Sequence, residues 1–527
     1  MDQPQRELPN SRQPEQLWWT RRQRGWAVVL LFAGLLAYSF VRTPIPAVNE
    51  PHYLTKAKHF WNPDWGRGDL FLESSNPHYV FYSTVGSLTQ WFSLEQTAAI
   101  SRVAALLLLA VGLESLLSVV LTGMRPVLAT AALYLGMMAI GNLAGEWIIG
   151  GVEGKVFAYG FAFWAAGLAA RGFLLRPATL LGFAVSFHPV VGIWCLLATL
   201  AGVLVPLFLR GDHAQPHSLP RIAAAAVLFG MCAFPGLYPA FQTLGGASAE
   251  IAAQADRIQV FSRLKHHLDP AVFSLRAYAC YAAMLIVWIV FRKRAAMTAG
   301  GDFLNWYLMA SALFAAGGLV ARFGFPLFGF QSASLLKFYP FRLFDVLLPL
   351  AVAVLAVRLF AQWSARFEGF SKKRRATHGI EFLVCGAAFS YAMLVMPVDR
   401  SPTRFHPLVL ADWQACCRWA LEHAPEDARV LTPSYSWGFK WYGQRVEYVN
   451  YKDCPQDAPS LLEWQRRYDL LRDWEESRQA GTMSREIVNR FEDRELVDFL
   501  IARTNDATDL PVVYRGQYFS VFDVRGQ

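Results

Sequence analysis

Eleven apolar stretches run through this 527-residue chain, and no other feature limits its fold so sharply. A bilayer core of roughly 30 Å needs about 20 apolar residues per helix, and runs such as 98–122 and 336–360 have that size. Lipid offers backbone N–H and C=O groups no partners, so only helices or closed barrels cross it. The runs are continuous in Leu, Ala, Val and Phe without two-residue alternation, which selects helices. Apolar residues make up 54% of the chain and charged ones 17%, proportions that exclude a soluble globular protein of this length. The expected fold is an α-helical polytopic membrane protein of about 11 transmembrane helices, near residues 26–43, 98–122, 127–147, 153–170, 177–188, 189–209, 220–242, 273–291, 303–321, 336–360 and 379–397.

Basic residues mark the ends of these stretches. Arg21, Arg22 and Arg24 precede the first; Arg171 and Arg176, Arg210 and Arg221, Arg292-Lys293-Arg294 and Lys372-Lys373-Arg374-Arg375 fill later short loops. All face the cytoplasm together if the amino terminus is inside, where Lys and Arg concentrate. The net charge of +9 is thus an orientation signal and does not call for nucleic acid. The long loop 44–97 and the tail 398–527 then lie outside, while residues 1–25, polar and rich in Pro and Gln, form a disordered cytoplasmic tail. No convincing small-x-small cleavage site follows the first stretch, which is expected to stay as an anchor. Between 26 and 397 lies the transmembrane domain. The outer tail alternates helix-like stretches (412–423, 459–474) with strand-like ones (429–432, 512–514, 519–522), predicting a small extracytoplasmic α/β domain that rests on the membrane domain. Cys195, Cys232, Cys280 and Cys385 sit in apolar runs as small hydrophobes; the adjacent Cys416 and Cys417 with Cys454 make no disulfide framework.

The chemistry-bearing residues gather on the outer side. Glu50 follows the first span, where a carboxylate either accepts a proton from a hydroxyl, binds a cation, or is simply a solvated loop acid. Its loop also carries Asp64, Asp69, Glu73, Asn76 and His78. Gly150-Gly151-Val152-Glu153-Gly154-Lys155 opens the fourth span, where Glu153 and Lys155 either pair structurally or contact substrate. His188, in Ser186-Phe187-His188-Pro189, sits at a break between spans; broken helices line cavities, although a lone histidine can equally be a satisfied core residue. His266 and His267 lie in a cationic loop suited to phosphate, and as neighbours on different helix faces they are not expected to share zinc. Lys337 and Arg342 enter the tenth span from outside, where a guanidinium either snorkels or forks onto a lipid phosphate. In the tail, Trp437-Gly438-Phe439-Lys440-Trp441-Tyr442-Gly443-Gln444-Arg445 offers aromatic plates and cations to a carbohydrate, or glues the tail to its neighbour. Candidate substrate contacts are therefore Asn49, His52, Glu73, Asn76, His78, Glu153, Lys155, His188, His266, His267, Lys337, Arg342, Lys440 and Arg445. Glu114 is the one acid placed deep within a span, too few buried charges for an ion relay.

A long first outer loop with an acid at Asn49-Glu50, about eleven spans and an extracytoplasmic tail domain together resemble the GT-C superfamily of polyprenyl-phosphate-sugar-dependent glycosyltransferases. Asn49-Glu50-Pro51-His52-Tyr53, Gly151-x-Glu153-x-Lys155, Ser186-Phe187-His188-Pro189, His266-His267-Leu268 and Phe439-Lys440-Trp441-Tyr442 resemble more closely a group of uncharacterised bacterial multi-pass membrane proteins, a likeness that brings no activity with it. The GT-C resemblance implies transfer of a sugar from a polyprenyl-phosphate donor in the bilayer of the bacterial inner (cytoplasmic) membrane to an extracytoplasmic glycan, lipid or protein acceptor. It implies Glu50 as general base, with Arg342, Lys337 and His266 or His267 steadying the leaving phosphate. That family carries an acidic pair where this chain has Asn49-Glu50. A divalent cation, Mg or Mn, would then need Asp64, Asp69 or Glu73 to join Glu50.

Two other functions fit the sequence. A transporter or flippase would use the break near His188 as part of a pathway, and a non-catalytic envelope scaffold would use the tail to bind partners. With no Walker loop or dinucleotide fingerprint, ATP-driven transport by this chain alone is not expected. The transferase reading expects Glu50, Glu153, His188, His266 and Arg342 to converge on one cavity.

Overall fold

A computed structural model describes residues 20–210, 218–293, 299–366, 371–395, 405–479, 497–506 and 510–525. The expected disorder of residues 1–19 and the basic Arg294 fall outside them. Residues 21–25, expected in that tail, are helical. The reason is a reciprocal cap: Gln23 N donates to Thr20 Oγ1 and Thr20 N to Gln23 Oε1, both at 3.2 Å, which starts the first helix at Arg21.

Each of the eleven apolar stretches contains a helix among the described residues, and the chain is an α-helical membrane protein. Six helices among the described residues are long and apolar enough to cross a membrane: Arg21–Arg42, Leu94–Leu117, Pro189–Leu209, Leu219–Leu244, Gly300–Phe323 and Arg342–Ala365. Met124–Ile140, Leu175–Phe187 and Leu275–Phe291 are apolar but shorter. Gly154–Ala169 and Ser371–Val395 complete the set. Helices Leu94–Leu117 and Gly154–Ala169 approach so closely that a Cβ on Gly112 would strike the Gly160 carbonyl, the small-residue packing that substitutes for hydrophobic drive in lipid. The run around His188 is not two half-spans. A 13-residue helix ends at Phe187, His188 is extended (φ −153°, ψ 95°), and a full-length span restarts at Pro189.

Helix Leu94–Leu117 carries charge at both ends, and the two ends differ. Near its carboxyl end, Arg24 meets Glu114 at 2.7 Å, Arg171 donates to Ser115 O and Ser118 Oγ, and Arg358 reaches Val120 O. Near its amino end, Arg102 meets Glu50 of the long loop. The arginine-rich ends and the acid-bearing loop therefore occupy opposite ends of one helix.

Loop 44–97 folds into helices Glu50–Trp61, Leu70–Glu73 and Tyr79–Thr84 with a 3-10 turn at Val85–Gln90. The tail builds a five-stranded mixed sheet from β1 (Arg429–Leu431), β2 (Val446–Glu447), β3 (Phe499–Arg503), β4 (Val512–Arg515) and β5 (Phe519–Asp523), ordered β2-β1-β3-β5-β4. β1 is parallel to β2 and β3; β5 is antiparallel to β3 and β4. Strand side chains alternate between faces. Val430, Phe499, Ile501, Phe519 and Val521 bury against Trp413, Cys416 and Cys417 of helix Pro407–His423. Leu431, Leu500, Ala502 and Phe522 bury against Trp464, Leu471 and Trp474 of helix Ala458–Gln479. β2 (two residues) and β3 are strands beyond the three that the sequence predicts.

Candidate functional site

Glu50 begins a helix that follows a proline-stiffened turn, and it is fully buried. Oε1 accepts from Arg102 Nε at 2.6 Å and from Val152 N at 2.9 Å; Oε2 accepts from Arg102 Nη2 at 2.8 Å and from Ala47 N at 2.7 Å. A carboxylate has about four acceptor positions, and here all are taken. Arg102 is equally enclosed and also donates to Thr43 O and Pro44 O. Gly151 lets the strands of this lock meet, since a Cβ there would hit Ala47 Cβ and lie 3.0 Å from Glu50 Oε1. In this arrangement the expected general base, Glu50, has no free acceptor position and lines neither cavity described next, so its geometry is that of a structural lock.

Those cavities are two and they adjoin. One is a polar chamber of about 140 Å³ lined by Asn49, His52, Glu153, Lys155, Arg263, His266, His267 and Lys452 among others. The second is an apolar groove of about 490 Å³ walled by Ile193, Leu197, Leu237, Phe241 and Leu244, with His78, His188 and Lys337 at its polar end. Tyr53, Gln259, Tyr339, Arg342 and Gln456 line both. Phe241 and Leu244 are 66% and 51% exposed, so the groove opens on the side of the helix bundle.

Arg342 stands at the junction. Its Nε lies 3.2 Å from Glu146 Oε2, its Nη1 3.5 Å from His188 Nε2, and its Cζ 3.6 Å from the centre of the Tyr339 ring. Tyr339 adopts φ 55°, a left-handed conformation costly for a tyrosine; such outliers persist where surrounding structure imposes them, as at binding sites. Lys155 bridges Glu146 (3.4 Å) and Glu153 (3.3 Å), and Asn49 Nδ2 donates to Glu153 at 3.2 Å. Glu146 Oε1 and His78 Nδ1 are buried without hydrogen bonds, so polar capacity is unspent here. Asp345, one turn beyond Arg342, accepts from Leu143 N, Ala144 N and Glu146 N at 2.5, 2.9 and 3.0 Å and so holds the loop that bears Glu146. His266 and His267 do not diverge as expected: their ring centres are 4.0 Å apart, and His267 Nδ1 lies 2.6 Å from Ala144 O. Burial pushes His266 down to about 4, and Arg263 adds to that, so its imidazole is neutral near pH 7.

The tail is docked on loop 44–97 by buried charge. Lys440 Nζ lies 2.7 Å from Asp453, 3.2 Å from Glu447 and 3.3 Å from Asp69, while Asp69 Oδ1 caps Phe71 N and Leu72 N at 3.0 Å. Burial raises the Asp453 carboxyl, but Lys440 and His52 together outweigh it and hold the group well below the carboxylate range. Burial opposes charge on Lys440 too, yet the acids around it, Asp453 foremost, hold it above the usual lysine value. Burial raises the Glu447 carboxyl. His52 Nδ1 lies 3.0 Å from Asp453 Oδ1, joining this cluster to the chamber.

Several expected contacts are corrected by this arrangement. Lys440 belongs to the docking cluster, Arg445 bonds the carbonyls of Leu421 and Ala424 at a helix end, and Trp437, Phe439 and Trp441 are buried, so this segment glues the tail and presents no carbohydrate platform. Glu73 accepts from Gly68 N, and neither Glu73 nor Asn76 lines a cavity. The proposed ligand set of Glu50, Asp64 and Asp69 does not assemble: Arg102, Arg67 and Lys440 hold them separately, and no cluster of three His, Cys, Asp or Glu side chains suited to a metal occurs among the described residues. Of the five residues expected to converge, Glu153, His266 and Arg342 line the chamber and His188 with Arg342 the groove, while Glu50 stands behind the wall.

A family model described as a domain of unknown function (DUF6798) matches residues 411–471, within the tail. No curated protein matches the sequence. Among solved structures, ArnT from Cupriavidus metallidurans bound to undecaprenyl phosphate is 13% identical, with a TM-score of 0.40 over 95% of this chain and 98% of that one. The apo state of the same protein gives 12% identity and a TM-score of 0.38 over the same shares.

Arg102, Glu146, Asp345 and Asp453 carry the site's wiring without having been singled out as site residues. A signal existed for two of them. Arg102 and Asp345 are charges inside apolar runs, where a charge must find a partner. The contact from Asp453, 401 positions after His52, has no sequence signature.

Proposed function

We propose that this protein is a membrane transferase acting on a polyprenyl-phosphate-linked sugar, of the GT-C glycosyltransferase type that the sequence resembles. The observation that carries the reading is the junction at Arg342, where an apolar groove open at the side of the bundle meets a polar chamber. An isoprenoid chain suits the groove, entering from the bilayer. Its phosphate suits the junction, where Arg342 offers a planar fork; Lys155 and Lys337 stand beside it, the first paired with Glu146 and Glu153 and the second with Asp256 at 2.9 Å. The sugar would occupy the chamber beside Glu153, His52 and His266. Preorganised cations in a site shielded from water favour a leaving phosphate strongly. The amino terminus would be cytoplasmic and the tail domain (398–527) extracytoplasmic, because the arginine-rich helix ends lie opposite the chamber.

The test is binding of undecaprenyl phosphate and of uncharged undecaprenol to the full chain in nanodiscs, read by native mass spectrometry. The phosphate is expected to bind, undecaprenol to bind far less, and Arg342→Ala to weaken the phosphate complex by roughly 10-fold or more, as loss of a charge-assisted contact requires. Equal binding of both lipids, or an unaffected Arg342→Ala variant, would refute the reading. Flux of lipid without release of sugar would favour the transporter alternative.

A further inference from the structure

Glu50 is locked behind the chamber wall, and Glu153, the acid that lines the chamber, is paired with Lys155 and Asn49, so neither offers a free base. His52 does. Its Nδ1 lies 3.0 Å from Asp453 Oδ1, and Asp453 also takes Lys440 at 2.7 Å, Asn450 Nδ2 at 3.1 Å and its own backbone turn through Asp453 N to Asn450 Oδ1 at 2.7 Å. A carboxylate held ionised by a lysine can only accept, so His52 Nδ1 must be the donor. In the neutral ring the proton is then on Nδ1 and the basic lone pair on Nε2. Nε2 has no hydrogen-bond partner among the described residues, and His52 lines the chamber. The ring is fixed by Phe71, whose centre is 4.3 Å away, and by Tyr53 at 5.2 Å.

We infer that His52 is the proton acceptor of this site and that the tail domain completes it by supplying Asp453 as the positioning residue. This rests on the transferase reading above and adds to it the atom that takes the proton. The acceptor hydroxyl gives its proton to His52 Nε2 as its oxygen bonds the anomeric carbon. The bond from that carbon to the lipid phosphate oxygen breaks, and the electron pair leaves with the phosphate beside Arg342. The imidazolium so formed is balanced by Asp453, the division of labour seen wherever a carboxylate orients a histidine base. Burial lowers the His52 imidazole, the Asp453 bond opposes this, and Lys452 and Arg263 add to the lowering. The ring is thus unprotonated at neutral pH, as a base must be.

The experiment uses the full chain in nanodiscs with a panel of undecaprenyl-phosphate-linked hexoses and either water or a free hexose as acceptor, measuring released undecaprenyl phosphate. His52→Gln is expected to lower kcat by roughly 10²–10⁴-fold while undecaprenyl phosphate affinity changes by less than about twofold. Imidazole should partly restore His52→Ala. Asp453→Asn should also lower kcat, with recovery in Asp453→Glu, and the acid limb of the pH profile, below about 6.5 in the wild type, should move in Asp453→Asn and vanish in His52→Gln. Near-normal turnover by His52→Gln with lipid binding intact overturns this inference and leaves the transferase reading standing. No release by a wild-type chain that binds undecaprenyl phosphate overturns the transferase reading itself.

Discussion

A single residue, Pro51, separates Glu50 from His52, yet the regions they anchor treat charge in opposite ways. Around Glu50 every acceptor position is filled, its partner Arg102 is as deeply buried as it is, and it lines neither the chamber nor the groove. On the His52 side the polar groups are buried but incompletely satisfied: Glu146 Oε1 and His78 Nδ1 lack hydrogen bonds, His52 lines the chamber, and the two cavities meet at Arg342. A helix turn places the two side chains on different faces, one into the helix bundle and the other toward the tail. Charge that is fully paired holds a structure together, whereas charge with capacity left is available to a ligand.

The comparison breaks most visibly at Glu50. Glu50→Ala leaves Arg102 buried and unpaired, so stability should fall by about 3–5 kcal/mol, read as lost folded yield and a lower Tm in detergent. A well-folded Glu50→Gln protein that binds undecaprenyl phosphate but no longer releases it from donor would return the base role to Glu50. Gly151→Ala should cost about 1–3 kcal/mol, because its methyl group overpacks the lock against Ala47; an unchanged Tm would mean that the lock is looser than its geometry.

The docking cluster sharpens the contrast through pH. Asp453 is held below its unfolded value, so its contribution is present above pH of about 3.9 and is lost as pH falls below that. Lys440 is held above its unfolded value, so its contribution is present below pH of about 10.4 and is lost as pH rises through the folded value. Thermal unfolding should show a drop on the acid side, below pH of about 3.9, that Asp453→Asn reduces. Least affected should be Asp64→Asn. Asp64 pairs with Arg67 in a mostly exposed contact, and stability should stay within about 0.5 kcal/mol with donor turnover unchanged. A lost activity there would revive the metal set that the structure keeps apart.

How much was legible in advance differs between residues. Arg342, Lys337, His188, Glu153 and Lys155 stood out because charge or a helix break at a membrane edge is expensive without a partner. Glu50 stood out for the same reason, but sequence shows that a partner is needed without saying whether it is substrate or Arg102. Lys440 and Arg445 looked like a carbohydrate surface since aromatic and cationic residues have the same composition in a binding face and in a buried joint.

The sequence by itself determined the membrane-spanning helical class, the alternation of arginine-rich and acid-bearing helix ends, and the α/β tail, because all three follow from local periodicity and from the cost of placing polar groups in lipid. Only the tertiary structure decided which carboxylates are spent and which side chains face the chamber. Those outcomes depend on contacts such as Glu50 with Arg102, Asp345 with the loop after residue 141, and His52 with Asp453, each joining distant parts of the chain, and a few ångströms of placement separate a lock from a site.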